Sequence, residues 1–217
     1  MKRVDVDRAR ELIERGATIL DVLPEPTYRR NHIPGALSRP LASMTEASMS
    51  DLAKTKPVIV YCFDQRCDLS ARASARLVQM GFTAVHDLIG GRAAWTLLGL
   101  PTEGSEGDRR RVAEFLDEAE TVEVGATIAA MPTGSSDDPV AVIDDAGVLL
   151  GAVDRVAVSL DPSTPVTQAM VPAPGTIRPD VTVDDALAQL RDDGLPYTFV
   201  TTARGELLGL LHADAHV

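Results

Sequence analysis

The stretch VIVYCFDQRCDLSARASARLVQMGF, residues 58–82, joins a short β-branched apolar run to a helical pattern through a polar loop. Both cysteines of the chain, Cys62 and Cys67, fall in that loop, five positions apart. An apolar run of this length bounded by turn residues fits a buried strand. Beyond the loop, Leu69, Ala73, Leu77 and Met80 recur at helical spacing and Gly81 stops the helix. The same theme repeats on either side. Residues 6–16 form an amphipathic helix ended by Gly16, ATILDVL reads as a strand, and TAVHDLIGGRAAWTLLGLP as a strand, a Gly-Gly turn and a short helix. The Pro-rich segment PEPTYRRNHIPGALSRPL reads as loop. Strands alternating with helices predict an α/β fold with a parallel sheet covered on both faces.

The composition, 45% hydrophobic and 24% charged over 217 residues, is that of a soluble globular protein of one large or two small domains. No apolar run is long enough for a membrane span, and the opening MKRVDVDRARELIERG is a charged helix without a signal-peptide core. A cytoplasmic protein is expected, in which cysteines are kept for chemistry more often than for permanent staples. The net charge of −11 is divided unevenly. Residues 1–104 carry 14 Lys/Arg against 12 Asp/Glu, whereas residues 105–217 carry 7 against 20, a net of −13. So acidic a half repels nucleic acid and anionic membrane surfaces, and neither is expected as a partner.

TEGSEGDR, residues 102–109, has linker composition, and RRVAEFLDEA, residues 110–119, reads as a helix leading out of it. Beyond lies an internal repeat. TVEVGATIAAM aligns with VTVDDALAQL at an offset of 59, setting Val122 against Val181. PVAVIDDAGVLLGAV aligns with PYTFVTTARGELLGLL, setting Pro139 against Pro196 and Gly151 against Gly209. The expected division is a first domain at 1–104, a linker and helix at 105–118, and a tandem pair at 119–217 with copies at 119–160 and 161–217. One copy has too little core to stand alone, so the two are expected to pack together.

Cys62 ends a buried strand and precedes a helix, where loop N–H groups and the positive helix end are expected to face its sulfur. That setting lowers a thiol pKa and supplies a nucleophilic thiolate. Asp64 and Asp68 oppose the thiolate and an anionic donor, and Arg66 is the only loop cation to offset them. For Cys67 the readings are core packing, a structural disulfide, half a zinc site, or a thiol that resolves an adduct on Cys62. Zinc lacks ligands, because His32, His86, His212 and His216 are scattered, and no metal is expected. His32 is expected to fix a turn, Asp21 to anchor loop N–H groups and Trp95 to pack in the core.

ILDV with Asp21, HIPGA at 32–36, VIVYC ending at Cys62, and LIGGRAAW at 88–95 occur in an order that resembles the rhodanese family. The resemblance implies that Cys62 attacks a sulfane donor such as thiosulfate, holds the sulfur as a persulfide stabilised by the loop of Phe63, Asp64, Gln65, Arg66 and Asp68, and passes it to a thiol acceptor or cyanide. The loop departs from the family pattern Cys-Arg-x-Gly-x-Arg-Ser: Phe63 and Gln65 replace Arg and Gly, and Ser70 stands eight positions after the cysteine. A persulfide donor is therefore expected to suit it better than thiosulfate. Phosphatase relatives of that fold need an Arg six positions after the cysteine, and position 68 is Asp.

The second half resembles a tandem pair of cystathionine-β-synthase (CBS) domains, most clearly in VTQAMVPAPGTIRPDVTVDDALAQLRDDGLPYTFVTTARGELLGLL. This implies a regulatory or dimerising module of a kind that often binds adenine nucleotides, and a homodimer is expected. The family's ribose-binding Thr/Ser-x-x-Asp slots hold Asp154-Arg-Val-Ala157 and His212-Ala-Asp-Ala215 instead, so no cofactor is expected to be required. The overall expectation is a sulfurtransferase fused to a CBS pair. The alternative is a thiol or persulfide sensor that uses Cys62 and Cys67 without steady turnover.

Overall fold

The computed structural model describes residues 1–105, 110–134 and 137–215. It divides into two compact units, Met1–Arg109 and Arg110–Val217.

The first unit runs β1 (Lys2–Val4), α1 (Val6–Glu14), β2 (Thr18–Asp21), α2 (Glu25–Arg30), β3 (Leu37–Ser38), β4 (Val58–Tyr61), α3 (Leu69–Gln79), β5 (Val85–Leu88) and α4 (Gly91–Thr96). Its five strands lie in the order β1-β5-β4-β2-β3, all parallel. The run VIVYC is apolar at every position because β4 is covered on both faces. Val58, Val60 and Cys62 pack on the side of α3 with Ala73 and Leu77. Ile59 and Tyr61 pack on the opposite side with Ala9, Leu12 and Trp95, from α1 and α4. The two-residue period of the strand thus turns Cys62 toward α3.

Two expectations change here. The Pro-rich segment read as loop contains α2, with Pro24 at its N-cap position, and the two-residue strand β3. The opening residues are not all helix: Lys2–Val4 pair with β5, and Asp5 then caps α1 by accepting from the Arg8 N–H. The remaining landmarks hold. His32 stacks on Tyr28 and its Nδ1 lies 2.8 Å from the Tyr28 carbonyl. Asp21 accepts from the Leu23 N–H, and Trp95 is buried and donates to the Pro101 carbonyl. Of the linker-like segment, 106–109 lies outside the described residues, while Glu103 pairs with His32 and Ser105 donates to Arg29.

The second unit holds β6 (Thr121–Glu123), β7 (Val140–Ile143), β8 (Leu149–Val153), α5 (Val166–Ala169), β9 (Val171–Pro172), β10 (Thr176–Ile177), α6 (Val183–Asp192), β11 (Tyr197–Thr201) and β12 (Leu207–His212). Two sheets, β6-β7-β8-β9 and β10-β11-β12, repeat one pattern. Val122 pairs in parallel with Val142, and Val142 faces Gly151; Ile177 pairs in parallel with Val200, and Val200 faces Gly209. Both hairpins carry a register shift just after these residues, at Val142/Ile143 and Val200/Thr201. The repeat is therefore real, but the first part of its alignment moves. Val122 corresponds to Ile177, not Val181, an offset of 55, and the offset becomes 58 in the hairpins.

The segment expected as a helix at 110–119 forms a single 3-10 turn, Val112–Glu114, and no α-helix. Its backbone N–H groups are taken elsewhere: Val112 donates to Val181, Ala113 to Pro179, and Asp117 to Leu210. Residues 110–117 thus clasp the second copy. Residues 164–171 clasp the first in the same way, with Val166 donating to Ala126 and Val171 opposite Ala152. Val112 and Val166 are both fully buried at equivalent places. Gly151 and Gly209 matter for the same reason, since a Cβ on either would run into the clasp, at Val171 and at Asp117 respectively. We predict that Val112→Asp, which buries an unpaired carboxylate, destabilises this unit by about 3–5 kcal/mol. A denaturant midpoint unchanged from wild type would contradict the clasp.

Candidate active site

Cys62 immediately follows β4 at the carboxyl end of the parallel sheet, the edge where open α/β sheets bind ligands. The residue is 1% exposed. Its Sγ donates to the Cys67 carbonyl at 3.3 Å and to the Asp64 carbonyl at 3.8 Å, and lies 3.4 Å from Ser70 Oγ. Ser70 sits in the first turn of α3, the end that favours negative charge.

The loop N–H groups do not face the sulfur as expected. Asp64 takes two of them, its Oδ1 accepting from the Arg66 N–H at 2.8 Å and the Cys67 N–H at 3.1 Å. An Asp in this position forms a local turn with the amides that follow it, and the turn leaves carbonyl oxygens directed at Cys62. The thiol pKa is raised, not lowered. Burial is the chief cause; the Ser70 hydroxyl and N–H pull against it, and the neighbouring Cys67 thiol adds to it. The resting loop holds a neutral thiol.

The Gly-Gly turn fixes the opposite wall. Gly91 has φ +56°, and a Cβ built on it would collide with the Cys62 carbonyl. This close approach lets the first N–H groups of α4 grip the loop, Arg92 donating to the Cys62 carbonyl at 3.0 Å and Ala93 to that of Phe63 at 2.9 Å.

A cavity of about 350 Å³ opens beside the loop, lined by Asp64, Gln65, Arg66, Cys67, Asp68 and Ser70 together with Arg3 and Asp87. Five of the expected loop residues therefore converge. Phe63 does not join them; it is exposed and carries the Arg92 guanidinium 5.1 Å above its ring. Arg3 and Asp87 were not foreseen. They pair by register where β1 meets β5, with Arg3 Nε 3.7 Å from Asp87 Oδ2, and Asp87 Oδ1 is buried without a partner. Arg66 is thus not the sole cation near the thiols. Only the pairing of a three-residue edge strand brings in the second, and no sequence spacing carries that signal.

In the second unit, a cavity of about 420 Å³ is lined by Phe115, Leu116, Asp117, His212, Asp214 and Ala215. His212 Nε2 lies 3.7 Å from Asp117 and 3.6 Å from Asp138. In the first copy, the Asp154 carboxylate is spent on the Val156 N–H. Carboxylates with no Lys or Arg among the described lining residues do not fit the phosphates of an adenine nucleotide.

A parallel sheet with a cysteine at the carboxyl end of its central strand, gripped between two helix N-termini, defines a thiol-bearing α/β domain. Residues 5–98 match the family described as Rhodanese-like domain, and the chain belongs to that family. It is 33% identical over 111 residues to the thiosulfate sulfurtransferase GlpE of Pseudomonas fluorescens (strain SBW25), covering 49% of this chain and 94% of that protein. It is 36% identical over 96 residues to GlpE of Coxiella burnetii, covering 43% and 86% respectively. Among solved structures, the BH2092 protein of Bacillus halodurans is similar at 30% identity and a TM-score of 0.46, over 48% of this chain and 78% of that one. No helix among the described residues is long and apolar enough to cross a membrane.

Proposed function

We propose that the first unit carries sulfane sulfur on Cys62 as a persulfide and passes it to a thiol acceptor. The observation that carries this reading is the place of Cys62, at the carboxyl end of the central strand with Ser70 Oγ 3.4 Å from its sulfur. The similarity to thiosulfate sulfurtransferases supports it. Three carboxylates, Asp64, Asp68 and Asp87, line the adjoining cavity, and they disfavour a dianion such as thiosulfate relative to a small persulfide. Loading requires the Asp64 and Cys67 carbonyls to turn away from the sulfur, because they repel an anion. Incubation with glutathione persulfide or with thiosulfate, followed by cyanide, tests this: thiocyanate release above the protein-free background, faster with the persulfide, is expected. Absence of release with both donors would refute the reading.

The pH dependence follows from the raised pKa. Alkylation of Cys62 by iodoacetamide is expected to rise with pH through a midpoint above the ordinary thiol value of about 8.5. The Ser70 hydroxyl lowers the thiol pKa, so Ser70→Ala is expected to shift that midpoint further up and slow alkylation at neutral pH by up to about tenfold. A midpoint near neutrality would mean that in solution the loop presents its amides to the sulfur.

We further propose that the second unit is a CBS-type pair that regulates the first or joins two copies of the chain, in a cytoplasmic protein that needs no cofactor. The repeated hairpins with the same register shift and the reciprocal clasps support the pairing. Exposed Val156, Val158 and Leu160 offer apolar surface for a second copy. A monomeric mass in light scattering across the micromolar range would remove the dimer.

A further inference from the structure

The two thiols of the loop occupy different environments that complement each other. Cys62 is sealed, whereas Cys67 is half-buried and forms part of the cavity wall. They are neighbours: Cys62 Sγ lies 3.3 Å from the Cys67 carbonyl, and Cys67 packs against the core cluster that holds Cys62. Both are free. A persulfide on Cys62 is an anion facing two carbonyl oxygens, and two of the loop amides, those of Arg66 and Cys67, are bound to Asp64. A disulfide is neutral and has no such conflict. The loop as built therefore favours the uncharged outcome.

From this we infer that Cys67 discharges the Cys62 persulfide, closing a Cys62–Cys67 disulfide and releasing hydrosulfide. The inference rests on Cys62 acting as the sulfur carrier. In the step, the Cys67 sulfur, as thiolate, attacks Cys62 Sγ; the bond between Sγ and the outer sulfur breaks, and the outer sulfur leaves with the electron pair and the proton given up by Cys67. The two cysteines are oxidised by two electrons and the sulfane sulfur is reduced to sulfide. A low-molecular-weight thiol or dithiol, entering through the cavity that Cys67 lines, restores both thiols. Because the attacking thiol belongs to the same loop, with its own carbonyl 3.3 Å from Cys62 Sγ, the step is intramolecular and outruns attack by free thiols at ordinary concentration. Such a domain couples sulfide release to thiol supply, and without a reductant it stops after one turnover.

The test compares wild type with Cys67→Ala and Cys67→Ser. Each is incubated with glutathione persulfide, quenched with an alkylating reagent and weighed intact, with sulfide assayed alongside. Wild type is expected to lose two hydrogens and release one equivalent of sulfide, whereas both variants retain one added sulfur on Cys62, at about tenfold or greater occupancy than wild type. Wild type that retains added sulfur to the same extent as the variants overturns the inference and leaves the carrier reading intact. If no form gains sulfur and none forms the disulfide, the carrier reading fails and this inference with it.

Discussion

Cys62→Ser is expected to reduce sulfur transfer by roughly three orders of magnitude or more, to the uncatalysed background, because a hydroxyl cannot carry sulfane sulfur as a persulfide. The substitution is nearly isosteric, and its hydroxyl can donate to the same Cys67 carbonyl that the thiol reaches. Stability is therefore expected to change by less than about 1 kcal/mol, so that lost activity cannot be ascribed to unfolding. Thiocyanate assays and thermal melts on the same preparation make the measurement. Retained turnover would transfer the carrier role to Cys67, which lines the cavity.

The second large effect lies at Gly91→Ala. The glycine has φ +56°, and the added methyl would meet the backbone of both Cys62 and Phe63. Two costs combine: a left-handed conformation for a residue with a Cβ, about 1–2 kcal/mol, and loss or distortion of the hydrogen bonds from Arg92 and Ala93, about 1 kcal/mol each. A loss of about 2–4 kcal/mol should lower the melting temperature by about 10 °C or more in a domain of this size. Gly16→Ala is the control. Gly16 also has a positive φ, +86°, but nothing stands near its Cβ position, so only the conformational cost is expected there. Equal losses at the two positions would show that the grip of α4 on the cysteine loop contributes nothing.

Much of the first unit was legible because its core is written in periodicity. The uninterrupted apolar run ending at Cys62, and Leu69, Ala73 and Leu77 at helical spacing, led to β4 and α3, and the Gly-Gly turn led to α4. Elements with little pattern of their own stayed hidden. The strands β1 and β3 have three and two residues and form only because neighbouring strands offer them partners. The six residues of α2 begin behind a proline and bury no side chain completely, so they leave no apolar stripe to read. The segment at 110–119 has a composition that favours a helix, but tertiary hydrogen bonds to Val181, Pro179 and Leu210 override it.

The loop that lines the candidate cavity was legible in the sequence, and its polarity was not. Cys62, Asp64, Gln65, Arg66, Cys67 and Asp68 were identified by type and position. Whether loop amides or loop carbonyls face the sulfur depends on peptide orientation, and here the Asp64 carboxylate decides it by capturing the amides of Arg66 and Cys67. The presence of an Asp two positions after the nucleophile was the available signal. Its charge opposes the thiolate, but its larger effect is geometric.

The reciprocal clasps of the second unit make its two halves interdependent. The strip that precedes the first copy in the chain completes the second, and the strip that precedes the second completes the first. A cut between the halves would leave each holding the other's missing edge. Neither can mature while the other is unmade, so this region is expected to fold in a single late step governed by chain closure over long sequence separations.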